Sequence, residues 1–575
     1  MASKNLFASK KTSASAPATD TKNAAGGVAY KRADEEALAQ FAVTGCFNNT
    51  FYASSADQLT KVKELLGNVS PATIGTLAVY SRTHGHMKDM PAFFVGYLSG
   101  LLAKAAEAEE VARKAKSPDL QVKADAVRAL SEILWDVFPR VIDNGKMLRN
   151  YVQMIRSGET GRKSFGSSPK RLVRAWFDTR DDTSIFFNST GNSPSMADVI
   201  KLVRPVPMTE ERAALYGWLL GKEKGKFGDK EFVVADAAPV CIKEYEAFRK
   251  NPKAGELPKA PYEMIEGLDL SVSQWKDLAV RSTWNQIRQH LNTFLRKGVF
   301  TSSMGQWDSA VINAIVSKIT DEAEIKKAKA MPYQLLVAYK HMGPEMPVEI
   351  TNAIQDAMEI AVANVPIIDG IVAVFPDASG SMHSPVTGQR INPKTNKLET
   401  HTSKVQCVDV AALVAACVLR RNPKALVIPF VEKALTDVIL NPKDSIMTNA
   451  MRLSSLPCGG TNCSAPMAAL NSRGVAADLV WYVSDYESWV DTPNHGHFGG
   501  SSTETLRQWE ILKGRNPKAK LVCMDITPNT TTQAKTREGI INVGGFSDSV
   551  FTVVQKFWEG DGGMSWMEHI QQMVG

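Results

Sequence analysis

The chain has 575 residues, more than one hydrophobic core accommodates, and that length predicts two to four domains. Hydrophobic content of 44% is that of globular protein; no apolar run approaches the roughly 18 to 20 residues that cross a bilayer, and the first 30 residues lack the apolar core of a secretory signal, so a soluble cytoplasmic protein is expected. Net charge is +7, all of it in residues 1–365, which carry 48 Lys and Arg against 41 Asp and Glu, whereas residues 366–575 carry 19 of each. Well-mixed helical surfaces explain that excess as well as a nucleic-acid footprint does, so local clustering must decide. Seven scattered cysteines without a C-x-x-C pair favour neither a disulfide framework nor a zinc site.

Residues 1–30 are rich in Ser, Ala, Thr and Lys and nearly devoid of large apolar side chains, which predicts a disordered tail. From 31 to 362 apolar positions recur at helical spacing: Leu59, Val62 and Leu65; Ile74, Leu77, Ala78 and Ser81; Val127, Leu130, Ile133, Leu134 and Val137. Breakers at Gly67, Pro71, Gly145, Pro169, Pro205 and Pro258 divide the helices. Many such helices without a long heptad run predict an α-solenoid of stacked helix pairs, although no strict repeat period is present.

Within this region Arg156, Arg162, Lys163, Lys170, Arg171 and Arg174 form a basic cluster interrupted only by Glu159. Ser168 and Pro169 read as a cap and first turn, where free backbone N–H groups could hold a phosphate with Lys170 and Arg171 adding charge. A solvated helix face explains the same residues equally well. Lys201 and Arg204 lie three apart on a helix ending at Pro205 and so face the same way; Arg288 and Arg296 lie two turns apart on another with Trp284 and His290.

Around Pro366 the pattern changes. Strand-like runs at 369–375, 425–431, 478–484, 519–525 and 540–544 alternate with helical segments at 404–420, 462–472, 502–514 and 547–557, followed by the terminal stretch 564–573. This alternation predicts a doubly wound parallel sheet in residues 363–575, with ligands beyond the carboxyl ends of the strands. Residues 383–403, with Pro385, Gly388 and Pro393, read as a loop.

At those strand ends stand Asp377, Ser379 and Ser381 in Asp377-Ala378-Ser379-Gly380-Ser381, Thr461 after Gly459-Gly460, and Asp485. Carboxylates and hydroxyls on closely spaced loops suit a hard divalent cation such as Mg²⁺. This spacing is similar to the metal-ion-dependent adhesion site of von Willebrand factor A domains. Cys458 and Cys463 suit buried apolar positions better than ligation beside oxygen donors. No G-x-x-x-x-G-K-[ST], H-E-x-x-H or G-x-S-x-G motif is present, and no base or nucleophile can be named beside Asp377, so a catalytic role is not expected.

The two halves together resemble the Ro autoantigen family in its bacterial form, whose N-terminal part is the TROVE module. The resemblance spans about residues 30–560. It rests on Phe41 to Tyr52, Leu77 to Pro91 with Tyr80-Ser81-Arg82, Gly161 to Phe165 through Pro169-Lys170-Arg171 to Trp176, Trp284 to Phe300, and Asp377 to Met382 with Gly459-Gly460-Thr461. It implies a HEAT-like ring of helical repeats closed by the A-like domain. Such a ring would bind small noncoding Y RNA on a basic surface, thread single-stranded ends of defective RNA and, in bacterial relatives, associate with an exoribonuclease. By position it implies RNA-facing roles for Lys170, Arg171, Arg174 and Lys201, with Arg204 where His is usual. Where relatives carry Lys and Arg before Ser195, this chain reads Phe187-Asn188-Ser189-Thr190-Gly191. Phe186 and Phe187 suit either base stacking or the core. The leading expectation is a nonenzymatic RNA-binding scaffold, the alternatives a metal-dependent protein-assembly module and an Mg²⁺-dependent phosphohydrolase.

Overall fold

The structure is a computed structural model, and it describes residues 17–45, 47–162, 164–328, 330, 332–386, 389–391, 398–400, 404–490, 502–560 and 562–575. The chain divides into two compact units, one of residues 1–65 with 364–569 and the other of residues 66–363 with 570–575. No helix among the described residues is long and apolar enough to cross a membrane.

The first unit is built on a sheet of five strands: β5 (Val372–Pro376), β8 (Leu426–Val427), β9 (Leu479–Ser484), β10 (Lys520–Asp525) and β12 (Ile540–Gly544). They are wholly parallel and lie in the order β12-β10-β9-β5-β8. β5, β9 and β12 are buried along their whole length, as continuous apolar runs covered on both faces must be. Alternation along β9 divides the faces. Tyr482 joins the core containing Met467, Leu470, Trp509 and Leu512 of helices Ala465–Ser472 and Glu504–Arg515. Trp481, pointing the other way, packs edge to face on Phe551 of helix Asp548–Glu559, ring centroids 5.9 Å apart.

The run expected at 425–431 shortens to β8, although Ile428 and Phe430 still donate to the Val374 and Pro376 carbonyls at 2.9 and 3.2 Å before the chain turns back through the bridge between Phe430 and Ala434. Within the expected loop 383–403, β6 (Gln389–Ile391) and β7 (Leu398–Thr400) pair as an antiparallel hairpin. Helix Ile446–Ser454, capped by Ser445, was not expected from the sequence.

The N-terminal segment departs most from expectation. Residues 1–16 lie outside the described residues, but from Pro17 onward the chain is structured rather than a free tail. β1 (Thr21–Lys22) pairs with β2 (Val28–Lys31), and β2 pairs with β11 (Thr531–Thr532), setting Tyr30 opposite Thr532. Tyr30 is fully buried in the sheet's core; its hydroxyl donates to the Pro17 carbonyl at 2.7 Å. Arg32 forms a wholly buried ion pair with Asp525 at 2.9 Å. Helix Asp34–Thr44 follows, so the boundary expected at 30/31 is absent: residues 17–65 belong with the A-like sheet. One large side chain, one buried charge and a borrowed strand order a segment whose composition is poor in apolar residues.

The second unit is helical. It opens with Pro71–Thr83, Asp89–Ala115, Leu120–Val141 and Gly145–Ser157, followed by Ser167–Asp178, Met196–Val203, Glu210–Leu219 and further helices to Val348–Ala361. Side-chain caps set several starts: Ser70, Asn144, Asp181, Ser195, Ser271 and Thr283 each accept an N–H of the first turn. Buried indoles tie neighbours together, Trp176 donating to the Ile142 carbonyl at 3.0 Å and Trp284 to that of Ile319 at 2.9 Å. Apart from a small hairpin, β3 (Lys224–Phe227) with β4 (Lys230–Val233), this is the expected helical solenoid.

Candidate metal centre and nucleic-acid interface

β5 and β9 are neighbours in register, Pro376 opposite Val483, so the loops beyond their carboxyl ends emerge side by side. Asp377 begins the first loop, and its N–H donates to the Val483 carbonyl at 3.0 Å. The turn folds back on its own carboxylate: the Ser379 N–H donates to Asp377 Oδ1 at 2.8 Å, and Ser484 Oγ donates to Asp377 Oδ2 at 2.5 Å. Ser379 and Ser381 hydroxyls stand 3.4 Å apart.

The third loop is fastened to both. The Gly380 N–H donates to the Gly459 carbonyl at 2.9 Å, and the Thr461 carbonyl accepts from the Trp489 and Val490 N–H groups at 3.1 and 3.2 Å. A Cβ at 459 would lie 2.0 Å from Glu432 Oε2 and displace the carboxylate that accepts the Gly460 N–H at 3.0 Å. Asp377, Ser379, Ser381, Thr461 and Asp485 are each no more than 5% exposed. The structure thus brings together all five residues expected at the metal site.

Burial, then the nearby charge of Asp485, push the Asp377 carboxyl up to about 7; burial likewise raises Asp485. Among the described residues no Lys or Arg forms an ion pair with either carboxylate, whereas the adjacent Asp525 has Arg32. Two desolvated carboxylates without a counter-charge, set among hydroxyls, are a donor set that a hard divalent cation would relieve. Among the described residues no group of three His, Cys, Asp or Glu side chains offers another metal site.

Sequence reasoning missed two side chains here. Tyr52, from the segment after helix Asp34–Thr44, shares a hydrogen bond with the Ser381 side chain, and burial and Asp485 raise its hydroxyl well above its ordinary value. Glu487 is buried, accepts the Ala25 N–H at 3.2 Å, and is pushed up to about 8 by burial and then by Asp485. Both line a cleft of about 400 Å³ together with Lys22, Lys61, Asp485 and Asn529. Glu487 is legible only as the second residue after Asp485, and Tyr52 only as the end of the Phe41 to Tyr52 stretch that carries the resemblance, with nothing local to tie it to these loops.

In the helical unit the expected basic residues separate into three kinds. Lys170, Arg171 and Arg174 ride helix Ser167–Asp178, whose cap is Gly166 with no side-chain bond, so Ser168 is a first-turn residue and not the expected cap. Arg171 is exposed and Lys170 half-buried. Arg174 donates its Nε–H to the Val203 carbonyl at 2.7 Å, which sets this helix against the end of Met196–Val203, where Lys201 and Arg204 are exposed. Arg204 is the residue past the helix, in a left-handed conformation with φ 50°, and so does not continue the face of Lys201; both nonetheless line one cleft. Exposed Arg156 lies near enough to act electrostatically on Asp198 of the same helix.

Arg162 and Arg288 are engaged internally. Arg162 donates to the carbonyls of Ser99 at 2.7 Å and Ser164 at 3.2 Å, tying its loop to helix Asp89–Ala115. Arg288 donates to the Gln334 carbonyl at 3.1 Å, and burial drives its guanidinium down to about 10. The residue is half-buried, with its guanidinium turned onto helix Pro332–His341. Arg296 is exposed and bonds within its own helix, to the Asn292 carbonyl and Thr293 Oγ1. Lys163 lies outside the described residues. Phe186 is core, packed on Trp218 and Tyr245, while Phe187 is 42% exposed.

Comparison with known proteins agrees with this architecture. The family model for the Ro60 vWA domain matches residues 371–558. The chain is 23% identical over 577 residues to the RNA-binding protein RO60 of Deinococcus radiodurans, covering 94% of this chain and 95% of that protein. It is 20% identical over 606 residues to the RNA-binding protein RO60 of Caenorhabditis elegans, covering 94% and 90%. The crystal structure of the D. radiodurans Ro (RSR) protein superposes with a TM-score of 0.57 at 18% identity over 92% of this chain and all of that one, which supports the same fold. With its helical solenoid and its A-like sheet, the chain is similar to the two RO60 proteins along nearly their entire length, and its residues 371–558 match the Ro60 vWA domain.

Proposed function

We propose that the protein is a nonenzymatic RNA-binding scaffold that holds small structured noncoding RNA on the face formed by Lys170, Arg171, Arg174, Lys201 and Arg204. The observation that carries this reading is the convergence of these cations on two helices locked by the Arg174 to Val203 bond, in a chain whose full-length relatives are named RNA-binding proteins. Cations on adjoining helices match phosphates by charge and shape and carry no base code, so the face suits an RNA recognised by its fold. The test is fluorescence anisotropy with a small hairpin RNA across a salt series. Lys170→Glu with Arg174→Glu should weaken binding by tenfold or more and flatten the salt slope by about 0.9 for each phosphate no longer neutralised. Unchanged affinity and slope would place the RNA elsewhere.

Asp377, Ser379, Ser381, Thr461 and Asp485 would hold a divalent cation, Mg²⁺ by the hardness of its oxygen donors. When bound, the cation supplies an open electrophilic position for a carboxylate of a docking protein, an exoribonuclease being the partner that the family resemblance implies. The protein's own residues prepare that site: Ser484 and the Ser379 N–H fix the Asp377 carboxylate, and Tyr52 holds Ser381. The reading assigns the site docking.

A further inference from the structure

The five donors at the strand ends are each no more than 5% exposed, although loops beyond the carboxyl ends of parallel strands ordinarily face a ligand. Part of their cover comes from outside those loops. Tyr52 stands in the segment between helices Asp34–Thr44 and Ser55–Asn68, shares a hydrogen bond with the Ser381 side chain, and lies within electrostatic reach of Asp485, Glu487 and Asp377. The phenol group thus rests on the donor cluster itself.

The segment that carries Tyr52 stands between two clefts. One is the cleft of about 400 Å³ lined by Tyr52, Asp485 and Glu487; the other, of about 230 Å³, is lined by Asn49, Gly380, His383 and Pro385. Thr50, Phe51 and Ser384 line both. Phe51 is 61% exposed and packs edge to face on Tyr52, ring centroids 4.8 Å apart. The segment is anchored beside Tyr52 rather than through it: Gln58 Nε2 donates to the Asn48 carbonyl at 2.6 Å, the Ser55 N–H to Asn49 Oδ1 at 2.8 Å, and the Thr50 N–H to the Ala53 carbonyl at 2.8 Å. Residues 50–53 belong to no helix or strand.

We propose that Tyr52 is the resident occupant of the position a docking carboxylate would take, so that a partner protein binds by exchanging its own Asp or Glu for the phenol. The inference rests on the docking reading above and adds its control. A neutral phenol oxygen suits a hard cation less well than a carboxylate does, so an acid displaces Tyr52 where a cation draws it in. Without a cation, the buried acids Asp377, Asp485 and Glu487 disfavour another carboxylate beside them, and Tyr52 stays. Rotation about the Tyr52 side-chain bonds opens the site while the anchors at Asn48 and Asn49 hold.

The test uses the full-length protein with Mn²⁺, an ion of the same oxygen preference whose water ligands are read by water-proton relaxation, and acetate as the carboxylate probe. Mn²⁺ affinity is taken from electron paramagnetic resonance titration. Tyr52→Ala should bind Mn²⁺ about as tightly as the wild type, show stronger relaxation from an added water, and bind acetate about tenfold more tightly, the factor for a position open about a tenth of the time in the wild type. Tyr52→Phe, which keeps the ring and its packing, should move acetate affinity in the same direction by less. If the wild type and both variants bind Mn²⁺ with equal relaxation and equal acetate affinity, the inference is overturned while the docking reading stands. Variants that lose Mn²⁺ without gaining acetate would make Tyr52 a group that holds the cation, which also overturns it. If the wild type binds no Mn²⁺, or Asp377→Asn binds it equally well, the docking reading falls and the inference with it.

Discussion

Arg174 donates its Nε–H to the Val203 carbonyl at 2.7 Å, one residue before Arg204. That bond satisfies a carbonyl at the end of helix Met196–Val203 and keeps the cations of two helices on one surface. Arg174→Ala should therefore cost both stability, about 1 kcal/mol for the missing bond, and RNA affinity. Arg174→Lys keeps the charge without the guanidinium geometry and should recover affinity only in part. Parallel unfolding and anisotropy titrations separate the two effects.

Arg288 should behave oppositely. Its guanidinium is buried against the Gln334 carbonyl, so Arg288→Ala should destabilise the protein by about 1 to 3 kcal/mol and leave RNA affinity of the folded fraction unchanged. Denaturant unfolding together with binding at low temperature checks this; loss of affinity at full stability would return Arg288 to the RNA surface.

The paired carboxylates predict a response to Mg²⁺. The wild type should unfold at higher temperature as Mg²⁺ rises, following the ordinary linkage for a ligand of the native state. In metal-free buffer Asp377→Asn should match or exceed the wild type, because it removes the repulsion with Asp485, and it should lose the Mg²⁺ shift. Equal Mg²⁺ shifts in the wild type and the variant would exclude Asp377 as a ligand.

His569 predicts an acid-side dependence. His569 is 2% exposed, neither ring nitrogen has a hydrogen-bond partner among the described residues, and burial with the neighbouring Lys556 pushes its pKa below the ordinary 6.5. The folded state thus binds the proton more weakly than the unfolded chain, so its contribution is present above pH 6.5 and declines as pH falls below it. His569→Gln should flatten that decline in chemical unfolding followed between about pH 7 and 5.

The candidate metal site was legible because Asp377 and Asp485 each stand directly after a strand-like segment, and parallel strands carry such ends to one edge. Thr461 follows no strand and was marked only by Gly459-Gly460. The N-terminal segment was not: Tyr30 and Arg32 find their partners in Thr532 and Asp525, at the far end of the chain, and composition near Tyr30 records no such pairing. Arg288 shows a second limit. Helical spacing places it beside Trp284 and Leu291, but whether helix Pro332–His341 covers it depends on packing between helices.

The most direct test of the central claim is crosslinking and sequencing of RNA from the tagged protein in its native cell, with Lys170→Glu/Arg174→Glu in parallel. Enrichment of one small structured RNA in the wild type, absent from the variant, is the predicted result; equal RNA recovery from both proteins, or none from either, would contradict it.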